Sequence, residues 1–165
     1  MKLVSAPAEI LKIPTIDVDE DMDNIVQYAK QMHEIMIQSN GIGLSAPQVG
    51  INKSFFIMGN NERYTVITNP KITKFSENKV KLEEGCLSFK DLFIKVLRPE
   101  NVDVEYVNTN GKIINETLTG MVSRVYQHEA DHTRGVTFDT LVSKLVLNMA
   151  EKKRINKWKK DGRRV

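Results

Sequence analysis

The chain of 165 residues contains one cysteine, Cys86, and three histidines. A single cysteine cannot close an internal disulfide, so the fold must be held by packing. No window approaches the ~18 consecutive apolar residues of a membrane span, so no membrane partner is expected. The start, Met1 to Pro7, has neither an apolar signal core nor an Arg-rich amphipathic segment. The expected location is therefore the cytoplasm, with an organellar or viral source as alternatives. There is also no internal repeat and no low-complexity linker. At this length, that predicts a single domain over residues 1–165.

Hydrophobic residues make up 41% and charged residues 27%, the balance of a globular chain. The formal charge is +3. It is unevenly spread: residues 151–165 carry eight Lys or Arg against Glu151 and Asp161, so the preceding 150 residues are net negative. The basic character belongs to a C-terminal segment, readable as a solvated helix or as a surface for a polyanion such as RNA. It does not predict DNA binding.

Asp17 to Asp23 is an acidic run suited to a helix start. Ile25, Ala29, Met32 and Met36 then recur at helical spacing, and Ser39-Asn40-Gly41 is a stop. His33 lies beside that face and reads as structural or surface. After a glycine-rich turn at 41–50, short β-type runs cover 54–58, 64–68, 92–97, 102–108 and 112–117, bounded by turn residues that include Asn69-Pro70. A second helix is predicted from Gly120 to about Thr133, with Met121, Val125 and His128 along one face. A third runs from about Phe138 to Lys159, with Leu141, Leu145, Met149 and Ile155 on one side. Helix, strands, then helices without βα alternation predict an α+β fold.

His128-Glu129-Ala130-Asp131-His132 is an HExxH pattern within the second helix. Residues four apart share a helix face, so both imidazoles can reach one metal ion. Glu129 borders that face, near enough to touch a water without being a ligand, as a general base must. A third ligand is needed for an open catalytic site. The longer protease pattern would place a third histidine at Phe138, and the only later glutamate is Glu151. Cys86, in Glu84-Gly85-Cys86-Leu87-Ser88, is the better candidate, because a thiolate binds divalent transition metals strongly. A closed structural site would require a further carboxylate. In Gly41 to Gly50 a phosphate loop is the rival reading, but it lacks the Lys-Ser/Thr ending. Gln48 offers a neutral donor that could polarise a carbonyl.

Together GIGLSAPQ (41–48), EGCLS (84–88) and QHEADH (127–132) resemble the peptide deformylase motifs GxGLAAxQ, EGCLS and QHExDH, in the same order. The resemblance implies mostly antiparallel or mixed sheets around a central HExxH helix, with N-terminal and C-terminal helices. It implies one divalent metal on Cys86, His128 and His132, natively Fe²⁺, with Zn²⁺, Ni²⁺ or Co²⁺ as alternatives. Glu129 would carry the proton, and Gln48 and the Leu87 backbone N–H would form an oxyanion hole. Ile42 and Gly43 would line the peptide cleft. The implied reaction removes the formyl group from formylmethionyl nascent chains, and the basic tail would meet the ribosome. Ser45 replaces the usual Ala, Thr133 the usual Leu, and Ile13-Pro14-Thr15 lacks the family's Pro-Asp-x-Leu run. Arg124, a residue the family often has there, would either form a salt bridge with Glu84 or shape the cleft. The rival readings are a zinc-type HExxH metallopeptidase and a non-enzymatic RNA-binding module.

Overall fold

The computed structural model describes residues 1–19 and 22–163. Glu20 and Asp21, part of the acidic run, and Arg164 and Val165, at the end of the basic segment, lie outside the described residues. The first helix, α1 (Met22–Gln38), buries Ile25, Ala29, Met32 and Met36 completely, as their spacing predicts. Ile25, Met32 and Met36 each contribute roughly 1.5–3 kcal/mol on burial, and Ala29 less. Asn40 adopts φ 55° and Gly41 N–H returns to the Met36 carbonyl at 2.8 Å, ending the helix. His33 bonds the Asn60 carbonyl at 2.8 Å and stacks on Tyr64, a structural role.

Two antiparallel sheets follow. The larger has the order β1 (Gly43–Ser45), β2 (Phe55–Gly59), β3 (Tyr64–Phe75), β6 (Asn101–Val107), β7 (Ile113–Thr119). The smaller is a hairpin of β4 (Lys79–Cys86) and β5 (Phe89–Pro99). Two expectations change here. Asn69-Pro70 does not end a strand: β3 passes through it at a register shift between Thr68 and Lys71. Proline is tolerated at such a bulge, and the Asn69 side chain bonds both the N–H and carbonyl of Val18. Strand β4 is an element the sequence pattern does not announce, because half of its residues are charged. Only Glu84 and Cys86 of it are buried.

Helix α2 (Gly120–Thr133) runs through the middle of the molecule. Its Tyr126 and Ala130 join Phe56, Val102 and Val104 of the large sheet in one core cluster. A second cluster lies between α1 and β1–β2, and a third joins Cys86 and β5 to Phe138. The helix stops at Gly135, with φ 72° and its Cα pressed on the backbone of Lys12 and Ile13; a Cβ there would meet Lys12 O at 2.7 Å. Thr133 accepts from both N–H and Oγ1 of Thr15, tying the N-terminal segment to the end of α2.

The third helix begins later than its pattern suggested. Phe138–Leu141 form a 3-10 turn, Val142 is extended, and α3 spans Lys144–Lys160. That break shifts the helical phase. Leu141, Leu145 and Met149 are exposed, while Val142, Val146, Leu147 and Ala150 pack on the third cluster.

Candidate active site

Cys86 ends β4, and His128 and His132 lie one turn apart on α2. Their candidate ligand atoms lie within 4.8 Å of one another. Cys86 Sγ is 3.3 Å from His132 Nε2. His128 Nδ1 meets Glu84 Oε2 at 3.0 Å, which fixes the ring and leaves Nε2 as its other coordinating atom. Burial disfavours a charged His128, but Cys86, Glu84 and Glu129 outweigh it and raise its pKa to about 10. His132 is driven the other way, well down, by burial and by the neighbouring charges of His128 and Arg98. The site thus attracts positive charge, and a metal ion would displace the His128 proton. One thiol and two imidazoles in an anionic setting fit a divalent transition metal.

Gln48 is placed by the 3-10 turn Ala46–Val49 that follows β1. Ser45 N–H and Oγ–H both donate to its Oε1 at 2.9 Å, so the serine at the usual alanine position orients the amide. Gln48 Nε2 then donates to Cys86 Sγ and Ser88 Oγ at 3.3 Å each, long bonds that an incoming oxygen can replace. Leu87 follows Cys86 in a tight turn, since Cys86 pairs directly with Phe89.

Glu129 is 4% exposed, and its Oε2 has no hydrogen-bond partner among the described residues. Burial raises its pKa to about 7, against the opposing pull of His128, Ser45 and Arg98. Gly43 makes room for it: a Cβ at 43 would lie 2.5 Å from Glu129 Oε1. Gly43 here is required by close approach, not by turn geometry.

Behind the ligands is a charged network that the sequence reading largely missed. Arg98 Nε and Nη2 grip both Glu84 oxygens at 2.6 and 2.9 Å, while its Nη1 reaches Asp131 at 2.7 Å. Arg124 Nη1 donates to Glu84 at 2.6 Å, one of the two roles expected of it, and its Nη2 donates to the Val80 carbonyl. Arg134 also bonds Asp131. Burial alone would raise the Glu84 pKa; hydrogen bonds from His128 and Arg98 and the Arg98 charge outweigh it and hold it at about 2. The signal for Asp131 was its place inside HExxH, between the two imidazoles. For Arg98 no sequence signal exists, because it comes from a distant strand.

A cavity of about 800 Å³ opens over this constellation, lined by Ile42, Gly43, Gln48, Leu87, His128 and Glu129 among others. His132 lies beneath it, 1% exposed. The structure therefore brings every sequence-nominated site residue to one cleft or directly under it. Among the described residues, no helix is long and apolar enough to cross a membrane.

The family model described as polypeptide deformylase matches residues 1–147. A peptide deformylase of Thermotoga petrophila is 40% identical over 114 residues, 69% of this chain and 70% of that protein. The chloroplastic peptide deformylase 1B of rice is 36% identical over 144 residues, 84% of this chain and 53% of the longer plant protein. A crystal structure of the Synechococcus elongatus peptide deformylase in complex with actinonin superposes with a TM-score of 0.86 at 36% identity, covering 93% of this chain and 85% of that one. With a family match across most of its length and relatives well above 30% identity, the chain belongs to the polypeptide deformylase family.

Proposed function

We propose that this chain, a metal-dependent hydrolase by family, removes the formyl group from the N-terminal formylmethionine of nascent polypeptides with Glu129 as proton carrier. In this reading Cys86, His128 and His132 hold one divalent metal, natively Fe²⁺, with Zn²⁺, Ni²⁺ or Co²⁺ able to substitute. Such an ion supplies Lewis acidity, which makes water nucleophilic near neutral pH. The observation that carries the reading is Glu129: a buried carboxyl with one unpartnered oxygen and a pKa near 7, beside the ligand cluster. A group poised there can both accept and return a proton at neutral pH.

Each further step falls to this chain's own residues. Glu129 takes the proton from water as the formyl carbon is attacked. Gln48 Nε2 leaves its long bonds to Cys86 and Ser88 and, with the Leu87 N–H, donates to the oxygen that gains charge. A good donor of this kind contributes roughly 3–4 kcal/mol in other hydrolases. Glu129 then delivers the proton to the leaving amine, and formate and a free α-amino group result. Ile42 and Gly43 stand at the edge of the five-stranded sheet, so an extended peptide can pair with this backbone while its side chains enter the cleft.

The test is formate release from formyl-Met peptides by protein purified without oxygen, with metal analysis alongside. Glu129→Gln should cut turnover about 10²–10⁴-fold with metal retained. Cys86→Ser should lose both metal and activity. Full activity in Cys86→Ser would overturn the ligand set, and preferential cleavage of internal peptide bonds would favour a metallopeptidase, which the family does not.

A polyanion partner is the second part of the proposal. Lys152, Lys153, Lys157, Lys159 and Lys160 are exposed on α3, and contact with the ribosome in the cytoplasm would present nascent chains to the cleft. Association that depends on these charges should weaken steeply with salt. Unchanged ribosome binding after removal of residues 151–165 would refute it.

A further inference from the structure

Strand β5 enters the cleft wall irregularly. Phe93 pairs with Gly85, and Phe89 pairs with Cys86. One step on β4 thus faces four on β5, and residues 90–92 form an irregular bulge in which Leu92 is buried. Lys90, Asp91 and Leu92 all line the cavity that holds Glu129 and His128. Asp91 adopts φ 58°, the left-handed region that costs an ordinary side chain energy, so something must hold it there.

The holding groups come from the far end of the chain. Asp91 Oδ2 accepts from Trp158 Nε1 at 2.9 Å and from Arg163 Nη1 at 2.6 Å. These bonds, with desolvation opposing them, hold the Asp91 carboxyl below its ordinary pKa. Trp158 is itself braced: Arg154 lies over its ring at 4.9 Å and pairs with Glu151 at 2.6 Å. Upstream on the same helix, Val146, Leu147 and Ala150 pack on the cluster that contains Cys86 and Leu92. Trp158 and Arg163 lie beyond residue 147, where the family match ends. The end of α3 is therefore fastened to the cleft wall by a contact that the matched family region does not contain.

We infer that Asp91 is a positioning residue: clasped by Trp158 and Arg163, it sets the conformation of the 90–92 bulge and hence the fit of the peptide in the cleft. This rests on the deformylase reading of that cleft. The clasp acts on substrate binding and not on proton transfer, because the side-chain hydrogen bonds of Asp91 run to Trp158 and Arg163 and those of Gln48 to Cys86 and Ser88. The molecule also supplies a reporter, since Trp158 is the only tryptophan in the chain.

The experiment combines kinetics with emission. Asp91→Gly removes the clasp while accommodating φ 58°, so folding is preserved. Trp158→Phe keeps a ring and deletes the donor. Both should raise KM for a formyl-Met tripeptide about fivefold, the scale of one lost hydrogen bond, with kcat within twofold. In the wild-type holoenzyme, Trp158 emission should change on addition of saturating tripeptide, and Asp91→Gly should abolish that change. KM values within twofold of wild type in both variants, a fall in kcat at constant KM, or emission unmoved by peptide would each overturn the inference. Absence of formate release by the wild type would instead sink the proposed reaction, and Trp158 emission would still decide whether peptide in the cleft is felt at the clasp.

Discussion

Helices α2 and α3 have 14 and 17 residues, and their burial inverts what their composition suggests. From Tyr126 to Thr133, α2 is buried without a break, although that run is Tyr-Gln-His-Glu-Ala-Asp-His-Thr. No residue of α3 is fully buried, although it carries Leu145, Val146, Leu147 and Met149. The difference is where partners are available. On α2, Arg124 and His128 meet Glu84 and Asp131 meets Arg98, partners from other elements that make burial tolerable, while Glu129 is the exception kept for chemistry. The outer apolar residues of α3 have no facing element among the described residues, and only its Val146–Leu147–Ala150 side packs.

The largest test removes a partner from α2. Arg98→Met should destabilise the fold by about 3–5 kcal/mol, because Glu84 and Asp131 would remain buried with only Arg124 and Arg134 to offset them. Urea unfolding midpoints would read this, and a loss below 1 kcal/mol would show that the network is not what permits the burial of α2.

The same contrast marks how far the sequence could be read. The helix on Ile25, Ala29, Met32 and Met36 was legible because apolar spacing reports a packing face directly. The HExxH helix was legible because ligand spacing is local, and Cys86 and Gln48 were legible through their motifs. Strand β4 was not, since it is held by pairing with β5 in a two-stranded sheet and its side chains are mostly solvated. Nor was the outward turn of Leu145 and Met149, which depends on the phase break at Val142–Ser143. Arg98 and the Asp91 clasp were illegible because contacts between distant segments leave no periodic trace.

A second test sharpens the comparison through pH. Glu84 is held at about 2 in the folded chain against an ordinary value of 4.5. Its ionised form therefore adds stability that is fully present above about pH 4.5 and is lost as pH falls through about 2. That contribution is roughly 3 kcal/mol. Thermal midpoints should decline across this acid window in the wild type. In Glu84→Gln, already less stable at pH 7, this part of the decline should be missing. An unchanged acid profile in that variant would place the charge sensitivity elsewhere.

The smallest effect belongs to α3. Leu145→Lys should alter stability by no more than about 0.5 kcal/mol and leave formate release at the wild-type rate, because the side chain is 70% exposed. A loss above 1 kcal/mol would mean that this face is covered in solution and that the inversion between the two helices is not real.

Gly43 has a consequence for how this cleft can change. The carboxylate of Glu129 fills the volume where a side chain at 43 would begin. A bulkier residue introduced there to shut out an unwanted ligand would also push aside the group that moves the proton. This stretch of wall is closed to escape by substitution: a variant that refuses an inhibitor by narrowing the cleft at 43 surrenders turnover in the same step, whereas a change at Asp91 would be felt in peptide binding and leave the proton carrier in place.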